Sequence, residues 1–344
     1  MNNSKILYVG NLDQGQTSRE RMIAFEELGF QVTPFNTFYR LSLLQRIINR
    51  LFITLLGVQL DLGSINKKLL QIEGYFNIIW IDKGVDFTPS TLKKLKSRLI
   101  KQGKLVHFNP DDPFGHYHKH WKRFIKTIPL YDIHFVSREE NIKEYTAHGA
   151  KVVYDYDRSF SKKLHMPLKL SEDDLKKYRV EIGFVGTYAP EREEAIAYLI
   201  SNGIEVAIYG NGWQNKRHWD IIKPYFRSNA QMGINYVKIL NGMRIALHFL
   251  RHENRDQQDS RTFEIPACKV FMLAERSPKH LSFFKEGVEA DFFSTNEELL
   301  EKVQFYSKNE EFTKKIAEQG YLKCQNAGYD HHARLLSMIK KVLQ

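Results

Sequence analysis

Cysteine is scarce in this 344-residue chain, and no long apolar run is present. The two cysteines, Cys268 and Cys324, cannot build a disulfide framework, and neither lies in a metal-ligand spacing. Arginines interrupt the most apolar stretch, residues 38–60, so it cannot span a bilayer. The first residues, MNNSKILYVG, lack the apolar core of a signal peptide. We therefore expect a cytoplasmic protein without a membrane-spanning helix.

Internal repeats, low-complexity tracts and motifs that read DNA or RNA are also missing. The formal net charge of +11 favours anionic partners, but without such a motif we do not expect a nucleic-acid partner. The length suits two domains, each of which is large enough to bury its own core. Solubility and a general affinity for polyanions are the alternative explanation of the excess positive charge.

Predicted strands and helices alternate along most of the chain, which indicates an α/β protein with parallel sheets. A polar stretch near residues 158–178 interrupts this alternation and marks the expected domain boundary. The pattern predicts two doubly wound domains, with strands at 5–10, 31–35, 75–82, 104–109, 132–137, 150–154, 180–186, 205–210, 245–250 and 270–274.

The segment from residue 245 to residue 276 has the strongest functional signal. It predicts a strand, a polar loop, a short helix and a second strand, and in open parallel sheets ligands bind beyond the carboxyl ends of strands. Arg251, Arg255 and Arg261 suit a phosphate-bearing ligand, whereas Asp256 and Glu264 suit its hydroxyl groups. Ordinary surface ion pairs are the alternative for each arginine.

Three motifs carry a resemblance to a known family: WIDKG at 80–84, PDDPF at 110–114 and SRTFEIPAC at 260–268. They resemble those of the CgeB-like (spore maturation) glycosyltransferases, which have the GT-B architecture. Asp256 and Glu264 have the spacing of two acids in the retaining GT-B group, although Glu is usual at the first position. Lys269 departs from the family pattern, which favours Gly there.

The resemblance implies two Rossmann-like domains that face each other across a cleft. We expect an acceptor-side domain over residues 1–165 and a nucleotide-sugar-binding domain over 166–325. A C-terminal helix over 326–344 is expected to return to the first domain.

The donor site is predicted where strands of the second domain end in glycine before a helix or turn. Glu264 would accept hydrogen bonds from ribose, Arg255 and Arg261 would neutralise the diphosphate, and Asp256 would contact the transferred sugar. For Trp213, packing in the core is an alternative to stacking on the base. The full predicted set is Gly186, Thr187, Arg192, Tyr209, Gly210, Asn211, Gly212, Trp213, Arg255, Gln257, Gln258, Arg261, Thr262 and Glu264.

The predicted catalytic residues are Asp111, Asp112 and Asp256. Asp111 and Asp112 follow a predicted strand and could deprotonate an acceptor hydroxyl, or they could only shape the turn and cap the next helix. The acceptor-side candidates are Gly10, Asn11, His116 and His118. The alternating histidines could share a metal ion, but no acid or cysteine joins them at a fixed spacing, so we expect no metal site.

Residues 38–60 combine apolar positions at helical spacing with Arg40, Arg46 and Arg50, and contain no acid. The favoured interpretation is a helix packed on its own sheet. The alternative is a basic amphipathic helix at an anionic membrane, which would place the protein at the inner face of the membrane near a lipid-linked acceptor.

The predicted function is transfer of a sugar, as in a hexosyltransferase, from a nucleotide-diphosphate-sugar to a hydroxyl group of a glycan, lipid-linked or protein acceptor. We favour a UDP-sugar donor and expect neither a metal nor another cofactor. The spaced acids favour retention, whereas a base at Asp111 or Asp112 fits inversion. Alternatives are a GT-B-type nucleotide-sugar 2-epimerase and a non-catalytic coat or assembly protein with the same fold.

Overall fold

The computed structural model describes residues 4–115 and 120–344. The chain forms two compact units. Unit 1 contains Met1–Asp157, His252–Arg255 and His331–Gln344, and unit 2 contains Arg158–Arg251 and Asp256–Asp330. Each unit is built on one six-stranded sheet.

The sheet of unit 1 is parallel throughout, with the order β2-β1-β3-β4-β5-β6. Its central strands carry runs of apolar residues that are buried, as in KILYVG and FNIIWID, because helices cover both faces of a parallel sheet. The strand order reverses between β1 and β3. The strands are β1 (Lys5–Gly10), β2 (Gln31–Asn36), β3 (Phe76–Asp82), β4 (Leu99–Asn109), β5 (Ile133–Val136) and β6 (Val153–Asp155).

The helices of unit 1 begin and end at recognisable signals. The Thr88 hydroxyl caps one helix whose first residue is Pro89, and Ser42 and Gln45 form a capping box at another. These helices are α1 (Thr17–Glu27), α2 (Leu43–Leu56), α3 (Ile65–Leu70), α4 (Pro89–Lys96), α5 (Lys122–Ile125) and α6 (Glu139–Ala147).

The sheet of unit 2 is also parallel, with the order β12-β11-β10-β7-β8-β9. Strands β8 and β9 follow on one side of β7, and β10, β11 and β12 follow on the other side, so the strand order reverses between β7 and β10. The strands are β7 (Val180–Val185), β8 (Ala207–Tyr209), β9 (Phe226–Ser228), β10 (Met243–His248), β11 (Phe271–Glu275) and β12 (Asp291–Phe293).

Helices of unit 2 pack on both faces of this sheet and enclose two apolar clusters. They are α7 (Glu172–Tyr178), α8 (Pro190–Ser201), α9 (Trp219–Ile222), α10 (Ile234–Asn241), α11 (Arg261–Ala267), α12 (Pro278–Phe283), α13 (Asn296–Lys308) and α14 (Glu310–Asn326). The last helix, α15 (His331–Leu343), belongs to unit 1. Its apolar face buries Leu335 and Ile339 against Tyr8 and Phe25.

The predicted α/β architecture with two parallel sheets is confirmed. The sequence analysis did not predict β9 and β12, each of which has three residues. Helix α7 lies inside the stretch that we expected to be irregular.

The favoured interpretation of residues 38–60 is wrong. Residues 43–56 do form helix α2, but none of its side chains is buried. No helix within the described residues is long and apolar enough to cross a membrane.

Candidate functional site

Arg192 lies at the point where the strand order of unit 2 reverses. Its guanidinium donates from Nη1 to the Thr187 carbonyl after β7 (2.8 Å) and from Nη2 to the Phe249 carbonyl after β10 (2.9 Å). The residue is only 3% exposed, and within the described residues its Nε has no hydrogen-bond partner and no carboxylate forms an ion pair with it. Such a reversal is the usual ligand position in open parallel sheets.

The environment of Arg192 is short of negative charge. Burial, followed by repulsion from Arg261, lowers the pKa of Arg192 to about 10. Asp259 attracts this guanidinium but does not offset these effects, and Arg251 adds further repulsion. We name Arg192, Arg251 and Arg261 the arginine cluster. A bound anion would stabilise the cluster, because it would offset the repulsion of Arg192 by Arg261 and Arg251.

Asp259 links the arginine cluster to His248 at the end of β10. Its Oδ1 lies 3.0 Å from His248 Nε2, and its Oδ2 lies 3.4 Å from Arg261 Nη1. Although burial raises the pKa of Asp259, His248, Arg261 and Arg192 together hold it well below the usual value. Asp259 is therefore a carboxylate at neutral pH, and it positions both His248 and Arg261.

Hydrogen bonds fix the loop before α11 to the neighbouring strand and helix. Thr262 Oγ1 accepts from the Asp259 amide and lies 2.9 Å from His280 Nε2. His280 Nδ1 lies 2.7 Å from the Glu275 carbonyl, which accepts its proton, and burial lowers the pKa of His280 to about 3. Neutral His280 thus accepts from the Thr262 hydroxyl. The loop is held in place before any ligand arrives.

The predicted glycine turns lie beside the arginine cluster, at the ends of β7 and β8. Gly210 has φ +151°, and a Cβ atom there would stand 1.9 Å from the Gly186 carbonyl oxygen, so the close approach of the two turns requires glycine. The next residues, Asn211 and Gly212, continue the turn, and the Asn211 side chain accepts from the Ala230 amide. These turns present backbone groups at the carboxyl edge of the sheet.

Trp213 and Tyr209 point into the core of unit 2. The Trp213 indole is 1% exposed, donates to the Gly186 carbonyl (2.9 Å) and packs edge-on against Phe184. Tyr209 is 2% exposed. This placement corresponds to the packing alternative for Trp213, and it leaves neither ring available for stacking on a base.

Glu264 lies in α11 and is 6% exposed. Its Oε2 accepts from the Tyr236 hydroxyl at 2.6 Å, and its Oε1 lies 3.8 Å from His165 Nε2. The hydrogen bond from Tyr236 orients the carboxylate. Its predicted role toward ribose stays a prediction.

Asp112 does not fit the role of general base. Its side chain is fully buried, accepts two hydrogen bonds from Arg255, and accepts others from Asn141 and the Phe114 amide. Burial raises its pKa, but these donors outweigh burial and lower it overall. A carboxylate that is enclosed and stabilised in this way is a poor proton acceptor.

Arg255 is the other member of this ion pair. The segment His252–Arg255 belongs to unit 1, where Arg255 contacts Asp112 and Glu144 (Nη2 to Oε2, 2.9 Å). Arg255 is not counted in the arginine cluster, and its predicted contact with the diphosphate stays a prediction.

The remaining predicted residues have varied surroundings. Asp111 is partly exposed and lies 2.5 Å from Lys83 Nζ. Gln258 is buried and accepts from the Arg158 amide, whereas the Gln257 carbonyl accepts from Ser277. The Asp256 amide donates to the Arg251 carbonyl, the Gly10 carbonyl accepts from the Thr37 amide, and the Asn11 side chain accepts from the Asp13 amide.

The alternating histidines, for which we expected no metal site, lie partly outside the described residues. His116 and His118 lie outside the described residues. The part of the chain that the structure describes contains no group of three or more His, Cys, Asp or Glu side chains suited to a metal ion.

Several organising residues escaped the sequence analysis. In unit 1, Asp82 Oδ2 at the end of β3 accepts hydrogen bonds from Arg21 Nη2 at 2.7 Å and from the Tyr8 hydroxyl at 2.8 Å. In unit 2, His248 and His280 lie too far apart in sequence to suggest contact. An isolated Asp or His at the end of a predicted strand is the only available signal, and it is a weak one.

The geometry of both units is similar to that of known structures over almost the whole chain. HepE from Anabaena, in a complex with UDP-glucose, has a TM-score of 0.62 at 11% identity, covering 98% of this chain and 100% of that one. Sucrose-phosphate synthase from Thermosynechococcus elongatus has a TM-score of 0.60 at 11% identity, covering 99% and 98%. The fold is GT-B.

One family model matches part of the sequence. Residues 192–340 match a family model described as glycosyl transferase-like, and this range begins at Arg192 and includes Asp259, Arg261 and Glu264. A search of curated proteins by sequence gives no match. A putative UDP-N-acetylglucosamine 2-epimerase from Listeria monocytogenes shares the fold, with a TM-score of 0.52 at 12% identity over 98% of this chain and 96% of that one.

Proposed function

We propose that this GT-B protein is a glycosyltransferase that moves a sugar from a nucleotide-diphosphate-sugar, with UDP-sugars favoured, to an acceptor hydroxyl. The observation that carries the proposal is the arginine cluster at the β7/β10 reversal. Arg192 is buried and held by two backbone carbonyls, and within the described residues no carboxylate forms an ion pair with it, so a diphosphate would suit this site. HepE, which shares the fold, was captured with UDP-glucose and with UDP, which supports this choice of ligand.

The chemistry follows from the charge that develops when the donor reacts. As the bond between sugar and diphosphate breaks, negative charge accumulates on the leaving phosphate. Fixed cations that already face this position stabilise the transition state without reorganisation. Arg192 and Arg261 are fixed in this sense, because carbonyl groups and Asp259 hold their side chains. Asp259 would act as a positioning residue.

The acceptor side of the proposal rests on Asp111. It is more exposed than Asp112, so an incoming hydroxyl could reach it, and Lys83 would orient its carboxylate. A base of this kind fits inversion, whereas Asp256 facing the sugar fits retention. The acceptor class (glycan, lipid-linked or protein), membership of the CgeB-like subfamily, a cytoplasmic location and independence of metal and other cofactors are further parts of the proposal.

A nucleotide-sugar 2-epimerase is the second candidate, because a putative enzyme of that kind shares the fold. The two activities differ in what they need. Transfer consumes the donor only with an acceptor present, apart from slow hydrolysis, whereas an epimerase changes the sugar without any acceptor. Chromatography of UDP-sugars incubated with the protein alone therefore separates the two candidates.

The donor proposal is tested by calorimetry with UDP and a panel of UDP-, GDP-, CMP- and dTDP-sugars. Arg192→Gln and Arg261→Gln should each weaken the affinity for UDP about tenfold or more, since each removes a charge-assisted contact to phosphate. Arg244→Gln is the matched control, because Arg244 lies at the opposite end of β10 and pairs with Glu181. Equal affinity in all four proteins, or no binding to any nucleotide, would refute the proposal.

A further inference from the structure

Helix α2 has its apolar face toward solvent. Six of its large apolar side chains are each more than half exposed: Leu43, Leu44, Ile47, Leu51, Leu55 and Leu56. Leu44, Ile47, Leu51 and Leu55 recur at intervals of three and four residues, so they form one stripe along the helix. This is the reverse of the orientation that a helix adopts when it packs on its own sheet.

Asn49 and the loop after α2 hold the helix to unit 1. Asn49 Oδ1 accepts from the Leu60 amide at 2.9 Å, and the loop after the helix pairs with Trp121 through Val58. The capping box at Ser42 and the left-handed Gly57 fix both ends of the helix without any contribution from the exposed stripe. The exposed stripe is therefore not needed to form the helix, and its apolar character calls for a partner.

The charge around the stripe indicates which partner this is. Arg40, Arg46 and Arg50 are exposed, residues 38–60 contain no acid, and within the described residues none of the three arginines forms an ion pair. The two helical arginines lie one turn apart along one edge of the stripe. An apolar face bordered by unpaired cations complements a surface whose interior is hydrocarbon and whose boundary is anionic.

We propose that residues 38–60 dock unit 1 on the surface of an anionic phospholipid bilayer. The helix lies in the plane of the interface, the leucine stripe enters the acyl boundary, and Arg46 and Arg50 contact lipid phosphates. No part of the helix spans the membrane. This inference does not depend on the proposed glycosyltransferase activity, because it uses residues of unit 1 alone, whereas the nucleotide-binding residues belong to unit 2.

Vesicle co-sedimentation of the full chain tests the proposal, with vesicles of phosphatidylcholine alone or mixed with phosphatidylglycerol. The wild-type protein should bind the mixed vesicles and bind pure phosphatidylcholine at least tenfold more weakly. Leu51→Glu/Leu55→Glu should lower binding to mixed vesicles about tenfold or more, because it places two carboxylates in the apolar stripe. Arg46→Gln/Arg50→Gln should lower it about tenfold while leaving the stripe intact.

The matched control is Leu281→Glu/Leu322→Glu, two exposed leucines in α12 and α14 of unit 2, which should bind vesicles like the wild type. Melting temperatures and UDP affinities of all variants should match, since the changed side chains are exposed and distant in sequence from the donor residues. Three results would overturn the proposal: no binding of wild type to mixed vesicles, equal binding to both vesicle types, or a wild-type dimer in light scattering that only Leu51→Glu/Leu55→Glu dissociates, without vesicle binding.

Discussion

Asp112 and Arg255 form a two-pronged ion pair in unit 1, with Oδ2 to Nε at 2.6 Å and Oδ1 to Nη2 at 3.0 Å. The residues are far apart in sequence, and Arg255 reaches its partner from a short segment whose neighbours on both sides belong to unit 2. Arg255 also has φ +48°, a left-handed backbone conformation that costs energy for a residue with a side chain. The ion pair stabilises this segment in that conformation.

Replacement of Asp112 by Asn should therefore lower stability. We expect the free energy of unfolding to fall by about 2–3 kcal/mol, less than for a fully buried pair, because the Arg255 side chain is 33% exposed. Since the folded pKa of Asp112 lies below its unfolded value, this stabilisation is present above about pH 4 and is lost as the pH falls through the folded pKa. Urea denaturation measures the difference.

Asp111→Asn is the matched variant for the adjacent acid. It should leave the unfolding free energy within about 0.5 kcal/mol of wild type, because its ion pair with Lys83 is partly exposed. It should slow transfer to an acceptor if Asp111 is the base. A stable Asp112→Asn variant with slow transfer would return the base role to Asp112.

Asp86 should make the protein less stable at neutral pH than at mildly acidic pH. Burial, followed by repulsion from Asp61, raises the pKa of Asp86 to about 6, and within the described residues its Oδ1 has no hydrogen-bond partner. A carboxyl whose folded pKa exceeds its unfolded value destabilises the fold progressively as the pH rises from about 4 to about 6, and by a constant amount above that.

Asp86→Asn should thus raise the unfolding free energy by about 1–2 kcal/mol at pH 8 and have little effect near pH 4. Thermal melts at both pH values measure this, with the fully exposed Asp173→Asn as the control. A gain of the same size at both pH values would show that the ionisation of Asp86 is not the cause.

Gly210→Ala should damage the predicted donor turn. Its Cβ atom would overlap the Gly186 carbonyl oxygen, so the two turns would have to separate. Gly203→Ala is the control, because Gly203 has φ +80° but no atom within 4 Å of an added Cβ. We expect Gly203→Ala to cost about 1 kcal/mol from the backbone alone and to keep the affinity for UDP. Gly210→Ala should cost more and weaken UDP binding, as calorimetry would show; identical behaviour would contradict this.

Glu264 gives a test of ribose recognition that does not depend on catalysis. If its carboxylate accepts from a ribose hydroxyl, the wild type should bind UDP about tenfold more tightly than 2′-deoxy-UDP or 3′-deoxy-UDP. Glu264→Ala should remove that preference while keeping a folded protein. Tyr236→Phe removes the donor that orients the carboxylate and should reduce the preference without abolishing it. A preference that survives in Glu264→Ala would place the ribose elsewhere.

The sheets and most helices were predictable because their signals are local. Buried parallel strands such as FNIIWID are mostly apolar, and helix starts such as Ser42 with Gln45 or Thr88 with Pro89 lie within four residues of sequence. The sequence also located the segment of unit 2 that contains Arg261 and Glu264, because a βα loop rich in charge is a local pattern too.

The side chains that each arginine contacts were not predictable from local signals. The same loop contains Arg255 and Arg261, and only the folded chain assigns Arg255 to Asp112 and Glu144 and leaves Arg261 beside Arg192 and Asp259. Likewise, the amphipathic pattern of residues 43–56 predicts a helix with an apolar face but not the direction in which that face points. The structure directs it to solvent.

The amino-acid sequence by itself determined the alternation of strands and helices, the two parallel sheets, and the stretch of polar residues that follows β10. Hydrophobic period and chain-local turn chemistry suffice for these features. Only the tertiary structure decided which arginines lie beside Arg192 and which pair with Asp112 and Glu144. The reason is physical: the electrostatic energy of a buried charge depends on groups within a few ångströms in space, and these come from positions scattered along the chain.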